Sequence, residues 1–177
     1  MSDLMKNIVR FILFILLQVY VLNNIPPLHQ FITPYLYYLF ILWLPFKMPR
    51  ISLTLIGFVF GLTLDYFTKN IGLHAAACTL IAYLRPFMIN LLMPKESSDY
   101  SYAEPSITSM GWMPYSVYVL VLTLLHHMYL VLLEWLEFGN FWYFIGKVIA
   151  TTAISFLLVM ITELLFYRKS RYRTNVA

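Results

Sequence analysis

Charge is scarce in this chain. Asp, Glu, Lys and Arg make up 11% of its 177 residues and hydrophobic residues 61%, whereas a soluble domain carries about 25% charged residues. A water-soluble fold of this size has too much surface to hide so many apolar side chains. The composition excludes an ordinary globular domain and points to lipid as the solvent. Cysteine is almost missing: Cys78 stands alone, which excludes an intramolecular disulfide and a thiolate metal cluster. Catalytic signatures are missing too. There is no His-Glu-x-x-His, no glycine-rich phosphate loop and no Gly-x-Ser-x-Gly. No repeat of about 20–50 residues recurs, which argues against a solenoid. The first apolar run has no small-residue cleavage site, so it reads as a retained helix rather than a signal peptide.

What is present is a series of apolar runs. They predict an all-α, polytopic membrane bundle of about six transmembrane helices in a single domain, 1–177. The expected spans are about 8–22, 31–46, 51–67, 73–93, 114–136 and 141–167, separated by a polar loop, 94–113, and closed by a basic tail, 168–177. Six spans of roughly 20 residues use most of the chain, although the second and third are short. Orientation follows from the cations, which collect on the cytoplasmic side. With the N-terminus inside, that side receives Lys6, Arg10, Lys47, Arg50, Arg85, Lys95, Arg168, Lys169, Arg171 and Arg173. Only Lys69 and Lys147 of the 12 Lys and Arg fall near the outer face. Both termini are therefore expected in the cytoplasm, in agreement with an even helix count.

The net charge of +4 does not imply nucleic-acid binding, because the cations sit at the ends of apolar runs and so report topology. Trp43, Trp112, Trp135 and Trp142 lie near expected helix ends, and at least three of them fit an interfacial aromatic belt.

Polar residues inside the spans are costly and face the protein interior. Gly57, Gly61 and Asp65 recur every four residues and share nearly one helix face. Two glycines at that spacing admit a second backbone, so the face reads as a packing seam that delivers a carboxylate to the outer end of its span. Asp65 is then either part of a ligand or proton site, or an interfacial residue helped by Lys69 one turn later. Arg85, next to Pro86, lies toward the cytoplasmic end of the fourth span, at a depth similar to Glu163 in the sixth. The two are expected to form an ion pair, while Lys147 belongs with the outer acids Asp65, Glu134 and Glu137. Adjacent His126 and His127 point about 100° apart on a helix and cannot chelate one ion together. His74 and Cys78 share a face, but two ligands fall short of a zinc site. The ordinary role for these histidines is a hydrogen bond between helices. No metal, cofactor or catalytic residue is expected.

Three stretches carry a family resemblance: Gly57-Phe-Val-Phe-Gly61-Leu-Thr-Leu-Asp65-Tyr-Phe, Gly72-Leu-His74-Ala-Ala-Ala, and Leu80-Ile-Ala-Tyr-Leu-Arg85-Pro86. Together they resemble the MreD family of rod shape-determining membrane proteins, in its Bacteroidetes form. They span about a fifth of the chain, while the total length, span spacing and basic tail match throughout. The resemblance implies structural weight for Gly57, Gly61, Asp65, Gly72 and the Arg85-Pro86 pair; His74 stands with the first four as a partner-binding or helix-packing candidate. It also implies a fold like that of the substrate-binding subunits of energy-coupling-factor transporters.

Its functional implication is a non-enzymatic subunit of the bacterial cytoplasmic (inner) membrane. Such a subunit scaffolds MreC and peptidoglycan-synthesis partners, including the MreB filament and the RodA–transpeptidase pair, and regulates cell shape. The alternative is a small-molecule (vitamin) binding subunit of an energy-coupling-factor type transporter, with an outward pocket lined by Asp65, His74, Glu134 and Trp135. A membrane enzyme acting on lipid-linked precursors would need clustered acids or histidines, for which Asp65, Glu134 and Glu137 are the candidates. Under the leading expectation the glycine seam docks MreC, and the basic termini hold anionic lipid headgroups.

Overall fold

Among the described residues, five stretches are long and apolar enough to cross a bilayer: Leu4–Asn24, Arg50–Thr68, Leu73–Leu92, Trp112–Glu134 and Phe141–Leu165. All five are helical in the computed structural model, which describes residues 3–25, 32–93, 104–135 and 140–166. In chain order the α-helices are α1 (Asp3–Leu16), α2 (Leu39–Leu42), α3 (Arg50–Thr68), α4 (Leu73–Leu92), α5 (Ile107–Met110), α6 (Trp112–Trp135) and α7 (Phe141–Leu165). The described residues contain no strand, and the chain is a multi-pass helical membrane bundle.

The helix boundaries follow local chemistry. Pro49, in an extended conformation, precedes α3, and Lys69 ends it in the left-handed region at φ 61°. Gly72 opens α4 at φ 95°, a conformation that glycine adopts without penalty. Pro86 lies inside α4, which runs on for six residues beyond it. At α7 the Asn140 side chain accepts the Trp142 N–H at 3.0 Å, an ordinary N-cap. Ser106 and Ser109 cap α5 reciprocally: Ser109 N–H donates to Ser106 Oγ at 3.1 Å, and Ser106 N–H to Ser109 Oγ at 2.8 Å. Helix α1 loosens past Leu16 into a π-helical turn, Leu17–Val21, and a 3₁₀ turn, Leu22–Asn24.

The apolar run at 31–46, expected as the second transmembrane helix, is not a continuous helix. Residues 32–36 have no regular structure, 37–38 form a turn, and only the four residues of α2 are α-helical. Every residue from Tyr35 to Leu44 is buried. The segment runs antiparallel to α6 through the inside of the bundle: Tyr35 stacks on His127, Tyr38 reaches Thr123, and Trp43 reaches Tyr115. Its sequence explains the departure. Pro34 and Pro45 bracket ten residues, and a proline pushes the residue before it out of the α region. Ten residues of helix would rise only about 15 Å, half the hydrocarbon thickness; a more extended path goes further per residue. Irregular backbone survives at membrane depth only where protein encloses it. Among the described residues, five long helices and one enclosed, largely irregular segment thus stand where six helices were expected.

Around that segment, α3 packs on α4, α4 on α6 and α6 on α7. Phe11 of α1 meets Phe40 at 5.6 Å and Phe60 at 5.0 Å, both edge-on. At the end of the bundle where α1 begins, Arg10 pairs with Glu104 at 2.7 Å, and the Ile107 N–H donates to Glu163 at 3.2 Å. The start of α1 and the end of α7 therefore share one end. Trp112 and Trp142 are exposed, as an interfacial belt requires. Trp43 is not a belt residue, because it is buried in the core; the side chain of Trp135 lies outside the described residues. So do the loop residues 94–103, Glu137 and the basic tail.

Candidate functional site

The α3–α4 hairpin is assembled by the residues that carry the sequence motif. Gly57 and Gly61 lie directly against α4. A Cβ on Gly61 would sit 2.5 Å from the Ala75 Cα and 2.6 Å from the His74 carbonyl oxygen. A Cβ on Gly57 would sit 2.7 Å from the Ala82 Cβ and 2.9 Å from the Cys78 carbonyl oxygen. Real atoms do not approach so closely, so only glycine permits this packing. The seam packs α3 against α4 of this chain, the helix-packing role expected of it.

One turn beyond the seam, Asp65 caps the next helix. Its Oδ2 accepts the Gly72 N–H at 2.9 Å and the Ala75 N–H at 3.0 Å, and its Oδ1 accepts the His74 N–H at 2.8 Å. The His74 Nδ1 lies 2.8 Å from the same Oδ1. The carboxylate is fully buried and faces the positive end of α4, where orphan N–H groups need acceptors. Asp65 is neither an interfacial residue paired with Lys69 nor exposed to a ligand; it closes the hairpin.

The expected Arg85–Glu163 ion pair is not formed. Arg85 is fully buried, donates from Nε to the Tyr118 hydroxyl at 3.0 Å and from Nη2 to the Leu44 carbonyl. Glu163 accepts the Trp43 Nε1–H at 3.0 Å, the Tyr115 hydroxyl at 2.9 Å and the Ile107 N–H. Both charges serve the enclosed segment. So do polar groups that were overlooked in the sequence. Gln18, in the π turn of α1, accepts the Leu36 N–H at 3.0 Å and donates to the Pro34 carbonyl at 3.2 Å. Ser155 accepts the Tyr35 N–H at 3.1 Å, and the Tyr118 hydroxyl donates to the Leu42 carbonyl at 3.0 Å. Buried backbone must be paired, and side chains on four surrounding helices supply what a continuous helix would have supplied itself. Gln18 and Ser155, polar residues in apolar spans, were the available signal.

Above this network lies a cluster of rings. The Tyr37 hydroxyl and His126 Nε2 are 2.9 Å apart, Tyr38 stacks on His126 with centroids 4.8 Å apart, and Tyr37 meets His74 edge-on at 5.4 Å. His127 Nδ1 reaches the Thr123 carbonyl of its own helix at 2.8 Å. His126 thus joins α6 to the segment, as a histidine between helices was expected to do. Cys78 is buried, and no three His, Cys, Asp or Glu side chains converge among the described residues.

Two cavities open beside the α3–α4 turn. The larger, about 1060 Å³, lies between that turn, the end of α6 and the start of α7; Lys69, Asn70, Glu134, Asn140 and Lys147 supply its polar lining. Within it the Lys147 ammonium pairs with the Glu134 carboxylate, one of the partners expected for it. The smaller, about 500 Å³, is lined in part by Asn23, Thr33, Tyr35, Asn70 and His74. Of the residues expected to share one pocket, Glu134 and His74 line different cavities, and Asp65 lines neither. No family model, curated protein or solved structure matches the chain.

Proposed function

We propose that the chain is a non-enzymatic scaffold subunit of a bacterial cell-wall elongation complex, of the MreD kind, in the cytoplasmic membrane. The observation that carries this reading is that the motif residues behind the resemblance act as one structural unit. Gly57, Gly61, Asp65, Gly72 and His74 weld α3 to α4, and Arg85 fixes that hairpin to the enclosed segment. A bundle tied together in this way presents stiff apolar helix faces, which suits a subunit that holds partners rather than one that moves substrates. Arg10, Lys47 and Arg50 mark the cytoplasmic end by the positive-inside rule, which puts both termini in the cytoplasm. The partners on this reading are MreC, the MreB filament and the RodA–transpeptidase pair.

A second reading, a vitamin-binding transporter subunit, is favoured by the larger cavity. Its size falls near the range of small-molecule sites. Affinity purification of the tagged chain from its own cells in mild detergent, followed by mass spectrometry, separates the two. Co-recovery of MreC and cell-wall synthesis proteins is the expected result. Recovery of an ATPase module with a bound vitamin, and no cell-wall protein, would overturn the scaffold reading.

A further inference from the structure

We infer that the larger cavity is a binding site for an anionic phosphate ester, carried on a lipid at the membrane interface or on a soluble molecule. Among the described residues its lining carries two cations, Lys69 and Lys147, against one anion, Glu134. Lys147 is neutralised by Glu134, while Lys69 has no ion-pair partner among the described residues. Lys69 is also the one non-glycine residue with positive φ among them, and such strained positions cluster at functional sites. The Asn140 Oδ1 is taken by the α7 cap, so its amide nitrogen is the part left to donate. Helix α7 starts at the cavity, and its N-terminal dipole adds to the positive potential.

The walls contributed by Val131 and Phe144 are apolar, so the site offers a cationic floor beside a greasy side. That is the arrangement a phosphate headgroup with an attached chain requires, and lysine is a usual phosphate partner. The inference needs neither reading of the whole protein: it rests on the cavity and its charges alone.

The test is isothermal titration of the full chain in neutral detergent with three probes: dihexanoyl phosphatidic acid, inorganic phosphate, and dihexanoylglycerol, which lacks the phosphate. Saturable binding of phosphatidic acid and none of dihexanoylglycerol is expected. Lys69→Gln and Lys147→Gln should each weaken it about tenfold, and Glu134→Gln should tighten it by removing the competing carboxylate. A Lys147–Glu134 pair that served only as a strut would make Lys147→Gln and Glu134→Gln act in the same direction. That outcome, or no saturable binding of either phosphate probe, overturns the inference. Lys69→Gln, at a residue without an ion-pair partner among the described residues, keeps the test valid if the pair variants fail to fold. Equal affinity for inorganic phosphate assigns a soluble source, and strong preference for phosphatidic acid a lipid one; both support the site.

Discussion

Arg85 and Glu163 hold adjacent residues of one buried segment instead of each other. Arg85 takes the carbonyl of Leu44 and Glu163 takes the indole N–H of Trp43, so a cation on α4 and an anion on α7 pin the same point of the chain from two sides. Neither group could be exchanged for the other, because a carboxylate cannot donate to a carbonyl and a guanidinium cannot accept from an indole.

The first prediction follows from that asymmetry. Arg85→Glu and Glu163→Arg should each destabilise the bundle by about 3–5 kcal/mol, the usual effect of unpairing a buried charge. The double reversal should recover neither. Thermal unfolding in detergent checks this, and a double variant near wild-type stability would show that the two act as a simple ion pair.

Gly61→Ala should be the more stubborn of the two seam variants. Its added methyl meets only backbone of α4, which cannot yield without separating the helices, at a cost of about 1–3 kcal/mol or more. Gly57→Ala meets the Ala82 methyl as well as a carbonyl. Ala82→Gly should therefore restore part of the stability lost in Gly57→Ala and none of that lost in Gly61→Ala, as read from unfolding midpoints of the double variants.

Asp65→Asn keeps the shape of the side chain but turns its amide nitrogen toward donors. Since the carboxylate accepts three backbone N–H groups, the substitution should cost about 1–3 kcal/mol. It should also speed amide exchange at His74 and Ala75 while leaving the middle of α6 protected. Uniform loss of protection across the bundle would mean that the carboxylate does more than cap α4.

The enclosed segment makes a labelling prediction. In a Cys78→Ala background, cysteines placed at Tyr37, Leu39 or Ile41 should resist a membrane-permeant maleimide in the native protein, whereas one at the exposed Tyr66 should react. Ready reaction at the first three positions would place the segment at the surface of the bundle.

Much of the helical frame was legible in the chain because lipid leaves few choices. A backbone in hydrocarbon must satisfy its own hydrogen bonds, so each long apolar run becomes a helix, and the ends of α3, α4 and α7 fall within about two residues of their expected positions. The glycine seam was legible for a similar reason: a four-residue spacing fixes a helix face whatever lies opposite. The run at 31–46 was misread because hydropathy reports burial in something apolar and does not distinguish lipid from protein. Pro34 and Pro45 were the local warning.

Pairings were the part that depth alone could not assign. Glu134 and Lys147 face each other across two consecutive antiparallel helices, and their match follows from sequence distance to a shared turn. Arg85 and Glu163 also lie at one depth, yet a third element comes between them: Leu44, 41 positions before Arg85, and Trp43, 120 before Glu163. The sequence by itself determined the membrane environment, the long helices, and the closeness of α3 to α4, since each depends on composition or on spacing within one helix. Only the tertiary structure decided that Asp65 caps α4, that Trp43 is core rather than belt, and that Gln18, Tyr118, Ser155 and Arg85 pair the backbone of the enclosed segment. Those outcomes depend on which groups meet across elements, and an unpaired buried polar group finds its partner by proximity in space, not along the chain.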